Sequence, residues 1–219
     1  MASIDELFAR VARRYGQSSR FTRHYVRCKL RFDPVHRELV SLARRRPLRE
    51  VADIGCGRGQ LGLALLEARC ADRVVGLDAD AAGVRAARLA AAGLRFRGEV
   101  ADACTCEIPP CDTVLLIDVL YQLETEAQSA LVRRAAAAAR ASVILRAFDP
   151  ARGWRSAVNR LSEAVCYALA LKRSPVVNPC PLPWLVGLLE RQGFDVELRP
   201  CWRGTPFAGV LVVARRPHA

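Results

Sequence analysis

Four aspartates and four glycines between residues 53 and 118 are of the types, and at the spacings, that could do chemistry. Asp53-Ile54-Gly55-Cys56-Gly57-Arg58-Gly59 places a carboxylate two residues ahead of three alternating glycines. Glycine has no Cβ, so such a segment can turn sharply and let a ligand approach its backbone. Gly57-Arg58-Gly59-Gln60-Leu61-Gly62 also spells G-x-G-x-x-G, a nucleotide-binding fingerprint when it lies between a strand and a helix. Asp78, Asp102 and Asp118 recur downstream at intervals that suit successive strand ends. Tyr121 and, far upstream, His24 are further groups able to carry a proton. The chemistry implied is capture of a nucleoside-like ligand by free N–H groups at a helix N-terminus, with carboxylates to hold its hydroxyls and amine.

The elements that position these residues follow from periodicity. Ile4, Leu7, Phe8, Val11 and Tyr15 have a helical period, and a polar, basic stretch runs from Gly16 to Arg31. Asp33 and Pro34 then suit the cap and first turn of a helix that buries Val35, Leu39, Val40, Leu42 and Ala43 and stops at Pro47. Beyond it the pattern alternates: strand 51–54, helix 61–68, strand 74–77, helix 81–91 ended by Gly93, and a weaker strand starting at Leu94. It continues with the apolar strand 113–117, helix 126–140 and strand 142–146. A helical insertion is expected over 147–182, then a helix at 184–192. Strands at 194–198 and 209–213 lie too close for a helical crossover, so they should pair antiparallel. The pattern predicts an α/β, doubly wound, mostly parallel seven-stranded sheet with an antiparallel C-terminal hairpin. Residues 1–46 form a helical cap on the domain 47–219.

The glycine pattern alone fits either NAD or S-adenosylmethionine. Asp53 inside the first strand can accept hydrogen bonds from the turn and attract a cation, whereas beside a pyrophosphate it would add like charge. Glu99-Val100-Ala101-Asp102-Ala103 offers an acceptor for an adenine amine after the third strand. The fourth strand ends in Ile117-Asp118-Val119-Leu120-Tyr121-Gln122-Leu123, where a parallel sheet opens its ligand crevice. With the match to V-x-D-x-G-C-G-x-G over 51–59, these motifs resemble those of the class I S-adenosylmethionine-dependent methyltransferases, whose fold is Rossmann-like. The resemblance covers roughly 48–146 and 184–214. It implies that Gly55, Gly57 and Gly59 pack on the methionine and ribose while Asp53 orients the amino end. Asp78 would take the ribose hydroxyls, Ala79 pack on adenine and Asp102 cap its amine. Cys56 and Ala103 join the cofactor set by their place in the motifs, and Ile117 and Asp118 border the methyl-transfer point.

Methyl transfer from a sulfonium needs alignment and water exclusion, with a base where the acceptor carries a proton. Asp118, Tyr121 and His24 are the candidates. The Asn/Asp-Pro-Pro-aromatic element of amino-methylating DNA enzymes is missing, since Asp118-Val119-Leu120-Tyr121 lacks both prolines. The insertion offers an apolar wall (Trp154, Val158, Leu161, Val165) with Arg152, Arg155 and Arg160 at its start. Such a lid suits an aromatic, lipid or polyketide-like small-molecule acceptor, anionic or carrier-tethered. The segment Tyr25–Val35 also resembles that of methyltransferases of bacterial aryl-polyene and polyketide-type pathways.

The net charge of +12 over 219 residues raises RNA or protein methylation as an alternative. That charge is nearly all arginine, spread along the chain apart from Arg44-Arg45-Arg46, and no aromatic-basic interleaving of an RNA module appears, so nucleic acid is not the expected partner. Nine cysteines without a disulfide-like framework point to a cytoplasmic setting. The C-x-C-x4-C spacing of Cys104, Cys106 and Cys111 lacks a zinc pattern, so no metal is expected. No apolar stretch reaches the roughly 20 residues of a membrane span.

Overall fold

The structure is a computed structural model that describes residues 3–148, 178–202, 204–205 and 208–217. The expected insertion helix and its arginines lie outside the described residues. Packing divides the chain into two compact units, Met1–Leu115 and Leu116–Ala219.

The first unit opens with three helices, α1 (Ile4–Arg14), α2 (Arg20–Phe32) and α3 (Pro34–Arg45). Each starts on a side chain that accepts from its first turn. Ser3 and Glu6 form a reciprocal capping box, Ser19 accepts from Thr22 N–H, and Asp33 accepts from Val35 N–H with Pro34 behind it. Helix α2 occupies most of the polar, basic stretch 16–31, to which the sequence pattern assigns no helix of its own. Its helical period is thin, since only Thr22, Val26 and Leu30 are buried, and charges surround them. Arg14 ties α1 down: its guanidinium pairs with Glu67 and donates to the carbonyls of Ala90 and Ala92.

Strands β1 (Arg49–Ile54), β2 (Ala71–Asp78) and β3 (Phe96–Val100) follow, separated by α4 (Gln60–Glu67) and α5 (Ala81–Ala90). β2 pairs in parallel with β1 on one side and β3 on the other, with Asp53 opposite Gly76 and Ile54 opposite Leu77. Glycines set how closely the layers approach. A Cβ on Gly62 would sit 2.9 Å from Val74 Cγ1, and one on Gly76 2.8 Å from Cys56 Sγ. Tyr15, Leu39, Leu63 and Ile54 are among the largest side chains buried here.

β4 (Cys111–Leu116) leads to a 3₁₀ turn (Leu120–Gln122), α6 (Thr125–Ala138), β5 (Ala139–Phe148), α7 (Leu182–Glu190), β6 (Asp195–Pro200) and β7 (Gly209–Arg215). The strand order is β3-β2-β1-β4-β5-β7-β6, a seven-stranded sheet. β7 runs antiparallel to both β5 and β6, with Ile144 opposite Val213 and Leu198 opposite Val212. The doubly wound sheet with its antiparallel C-terminal pair is therefore present as expected. β7 is buried almost throughout, whereas β6 alternates toward solvent as a sheet edge does. No helix among the described residues is long and apolar enough to cross a membrane.

Candidate active site

The glycine turn leaves β1 at Ile54 and enters α4 at Gln60. Gly55, Gly57 and Gly59 all have positive φ, at 77°, 55° and 73°, which an L side chain resists. Their surroundings differ. A Cβ on Gly59 would meet Ala87 Cβ at 2.8 Å and Phe96 Cζ at 3.0 Å, so this glycine is required by packing against α5 and β3. A Cβ on Gly57 would meet nothing within 4 Å. Gly57 is thus the half-buried crest of the turn, with open space where a Cβ would point. Behind it, a Cβ on Gly83 of α5 would stand 2.9 Å from Gly57 carbonyl oxygen.

The end of β2 holds the turn. Gly55 and Cys56 N–H both donate to Leu77 carbonyl, at 2.7 and 3.1 Å. Gly57 N–H donates to Asp78 Oδ2 at 2.7 Å, while Asp78 Oδ1 accepts from Asp80 N–H at 2.7 Å. Of the two parts expected of Asp53, accepting hydrogen bonds from the turn and attracting a cation, the first falls to other groups. The structure gives the hydrogen bonds to Leu77 and Asp78, because the parallel register carries β2 one residue past β1.

Asp53 has a different part. It is 2 % exposed, and burial, reinforced by the charge of Asp78, pushes its carboxyl up to about 7. A buried acid facing a second acid, under a turn with open space above it, is relieved by a cation. This is the observation by which the residues fit a cationic nucleoside ligand and reject a pyrophosphate. Cys56 is buried beside them, and burial, Asp53 and Asp78 all raise its thiol, so it packs as a neutral group. Ala79 is exposed just past Asp78. Asp102 is exposed after β3 and shapes its own loop, accepting Cys104 N–H at 2.8 Å, with Ala103 half-buried beside it. Cys104 is exposed, Cys106 half-buried and Cys111 buried at the start of β4.

The N-terminal helices reach this turn through a residue that the sequence reading passed over. Arg58 lies between the second and third glycines, and its guanidinium carbon stands 4.4 Å from the Tyr25 ring centroid and 5.3 Å from that of Phe21. Tyr15, fully buried, donates its hydroxyl to Arg58 carbonyl at 2.5 Å. Burial raises the Tyr15 phenol, which keeps it a donor. Helical spacing marked Tyr15 as core, and nothing in that spacing shows where its hydroxyl goes.

In the second unit, Ile117 is half-buried and Asp118 takes a positive φ of 61°. Asp118 is a non-glycine residue in the left-handed region, an arrangement that persists only where neighbours enforce it. Arg146 of β5 enforces it. Its Nε donates to Asp118 Oδ1 at 2.6 Å and its terminal nitrogen to Oδ2, a two-pronged ion pair with the arginine side chain 8 % exposed. Asp118 was expected as a proton acceptor. Here both its oxygens accept from a buried guanidinium. Arg146 was read only as a strand residue, yet an arginine after Val143-Ile144-Leu145 in a buried strand signals a hidden partner.

Tyr121 is 4 % exposed and packs edge-on to Phe148, with ring centroids 4.8 Å apart. His24 is exposed on α2, its Nε2 3.4 Å from Cys28 Sγ, and is not brought to the turn. Gln128, unremarked in the sequence, is 2 % exposed and central to its surroundings. Its amide nitrogen donates to the carbonyls of Leu120, Leu123 and Asn178, and its oxygen accepts from Cys180 Sγ at 2.9 Å. It joins the segment after β4 to the point where the chain re-enters the described structure. No cluster among the described residues has the ligands for a metal ion.

Comparison with known proteins agrees with this geometry. Residues 51–142 match the family model described as a methyltransferase domain. No curated protein matches the sequence. Among solved structures, magnesium protoporphyrin IX methyltransferase from Synechocystis, with bound S-adenosylhomocysteine, is 22% identical at a TM-score of 0.68, over 96% of this chain and 94% of that one. The pyocyanin biosynthetic protein PhzM is 24% identical at 0.65, over 90% and 58%. An O-methyltransferase family protein from Burkholderia thailandensis is 17% identical at 0.64, over 91% and 62%. The chain thus spans nearly all of the first structure and about three-fifths of the other two, and at these identities the likeness is one of fold. The sheet order and the comparisons converge on one statement: residues 51–142 match a methyltransferase-domain model, and the chain shares the fold of these solved methyltransferases.

Proposed function

We propose that the chain moves a methyl group from S-adenosylmethionine to a small-molecule acceptor. The observation that carries this reading is the match of residues 51–142 to a methyltransferase domain, and the buried Asp53 beside Asp78 at the glycine turn supports a cationic ligand. The bound cofactor supplies a methyl group already activated on a sulfonium. The chain's task is then to hold and dehydrate. Gly55, Gly57 and Gly59 bring their backbone against the ligand, Asp53 offers charge to its cationic end, Asp78 has acceptor capacity for hydroxyls, and Asp102 with Ala79 and Ala103 serves the adenine. Asp118 enters as a hydrogen-bond acceptor fixed in place by Arg146, and Ile117 and Tyr121 as walls. Two of the similar structures are named for a porphyrin methyltransferase and for pyocyanin biosynthesis, which supports a small-molecule acceptor. We place it, anionic or carrier-tethered, in the cytoplasm and in secondary metabolism.

Isothermal titration with S-adenosylmethionine and S-adenosylhomocysteine tests the reading. Both should bind, and affinity should rise with pH through about 7, because the ligand's cationic end favours ionised Asp53. Buffers of different ionisation heat should reveal the proton released. Binding of NADH with neither sulfur ligand would overturn the reading in favour of hydride transfer. Steeply salt-dependent labelling of RNA by radioactive methyl donor would move the acceptor to nucleic acid.

A further inference from the structure

Helix α2 carries two apolar stripes, and the core uses one of them. Thr22, Val26 and Leu30 are buried. Phe21, Tyr25, Cys28 and Phe32 form the other, at steps of four, three and four residues, which keeps them on one face. Phe21 is 55 % exposed and Phe32 65 %. Beside this stripe runs a row of exposed cations and one histidine: Arg20, His24, Arg27 and Arg31. The helix itself contains no acid. Lys29 pairs with Asp33 at the helix end, and the guanidinium of Arg31 stands 5.3 Å from the Phe32 ring centroid.

We propose that this outer face of α2 docks on an anionic lipid surface. Phenyl rings held in water gain only by entering a less polar phase, and arginines alongside them meet phosphate headgroups at the boundary of that phase. The net charge of +12 and the acid-free helix supply the complementary attraction. Nucleic acid fits the arginines but not the stripe, since bases stack on separated rings set among polar groups rather than on a continuous apolar strip. The stripe reaches Arg58 through Phe21 and Tyr25, so the docking face borders the cofactor turn. A chain seated this way would meet apolar acceptors at the bilayer surface. The docking itself holds whatever the acceptor proves to be.

Co-sedimentation of the full chain with vesicles tests the idea. Phosphatidylglycerol mixed with phosphatidylcholine should bind the chain, and pure phosphatidylcholine should bind it at least about tenfold more weakly. Arg27→Gln should weaken binding about fivefold, the equivalent of one arginine at a charged surface. Phe32→Ser should weaken it about tenfold, with thermal midpoint and S-adenosylhomocysteine affinity unchanged. The proposal is overturned if the mixed vesicles do not bind, or if Phe32→Ser binds them as the parent does. It is overturned equally if RNA or an acidic protein displaces the vesicles and binds Phe32→Ser and parent alike.

Discussion

The two units hold their functional residues by opposite means. In the first, it is the backbone of the glycine turn that is held: three of its N–H groups donate to Leu77 carbonyl and the Asp78 carboxylate, and Arg58 carbonyl accepts from Tyr15. In the second, the segment after β4 is fixed by side chains, with Arg146 gripping Asp118 and Gln128 bridging three carbonyls. Backbone-held sites depend on conformation, so their mark is glycine at positive φ. Sites held by side chains depend on pairs distant in sequence, and one member can be replaced if the other changes with it. The first kind resists variation, and the second allows a common cofactor turn to be combined with different acceptor sides.

Mutations can break or sharpen that contrast. Gly59→Val should have the largest effect, about 4–6 kcal/mol, since it adds a β-branched clash with Ala87 and Phe96 to a forbidden φ. Denaturant titration should show no folded baseline, whereas Gly57→Ala, with open space before it, should keep the fold and lose S-adenosylhomocysteine binding. Arg146→Met should cost about 3–5 kcal/mol by removing the two-pronged ion pair to a partly buried carboxylate. The double variant Arg146→Met with Asp118→Gly should recover much of this, because glycine also relieves the positive φ at 118. A strictly additive double variant would remove the contrast.

Asp53 gives a pH signature of up to about 4 kcal/mol. Its folded carboxyl is raised from 3.8 to about 7, so the folded state holds a proton that the unfolded chain has released. Stability should therefore fall as pH rises from about 4 to about 7 and level off above. Asp53→Asn should flatten that fall in thermal melts. Tyr15→Phe should be the mildest, costing about 1 kcal/mol for one hydrogen bond to Arg58 and weakening S-adenosylhomocysteine binding severalfold. Unchanged affinity would separate the N-terminal helices from the turn.

This contrast also explains what could be read in advance. The strands, the hairpin, the Asp33-Pro34 helix start and the turn were legible because each rests on local periodicity or on glycine, proline and capping residues. Helix α2 was hidden because three buried residues carry it among thirteen, and its arginines read as loop. Asp53 was legible as an attractor of a cation, but the turn's hydrogen bonds go to Leu77 and Asp78, since parallel register determines which strand end lies under a turn. Arg146, Gln128 and the Tyr15–Arg58 bond act across separations of 28, up to 52 and 43 residues, and no window of sequence contains both partners.

The placement of β7 between β5 and β6 also bears on synthesis. Roughly 60 residues separate the end of β5 from the start of β7, so a ribosome adding about 5–20 residues per second leaves that strand edge uncovered for about 3–12 seconds. During that interval Val143, Ile144 and Leu145 form an unpaired apolar edge, the kind that recruits other nascent chains. In the cofactor-side unit β1 waits almost as long for β4, since about 56 residues separate Ile54 from Cys111. Yield in a heterologous host should therefore depend on how quickly both late strands, β4 and β7, are made.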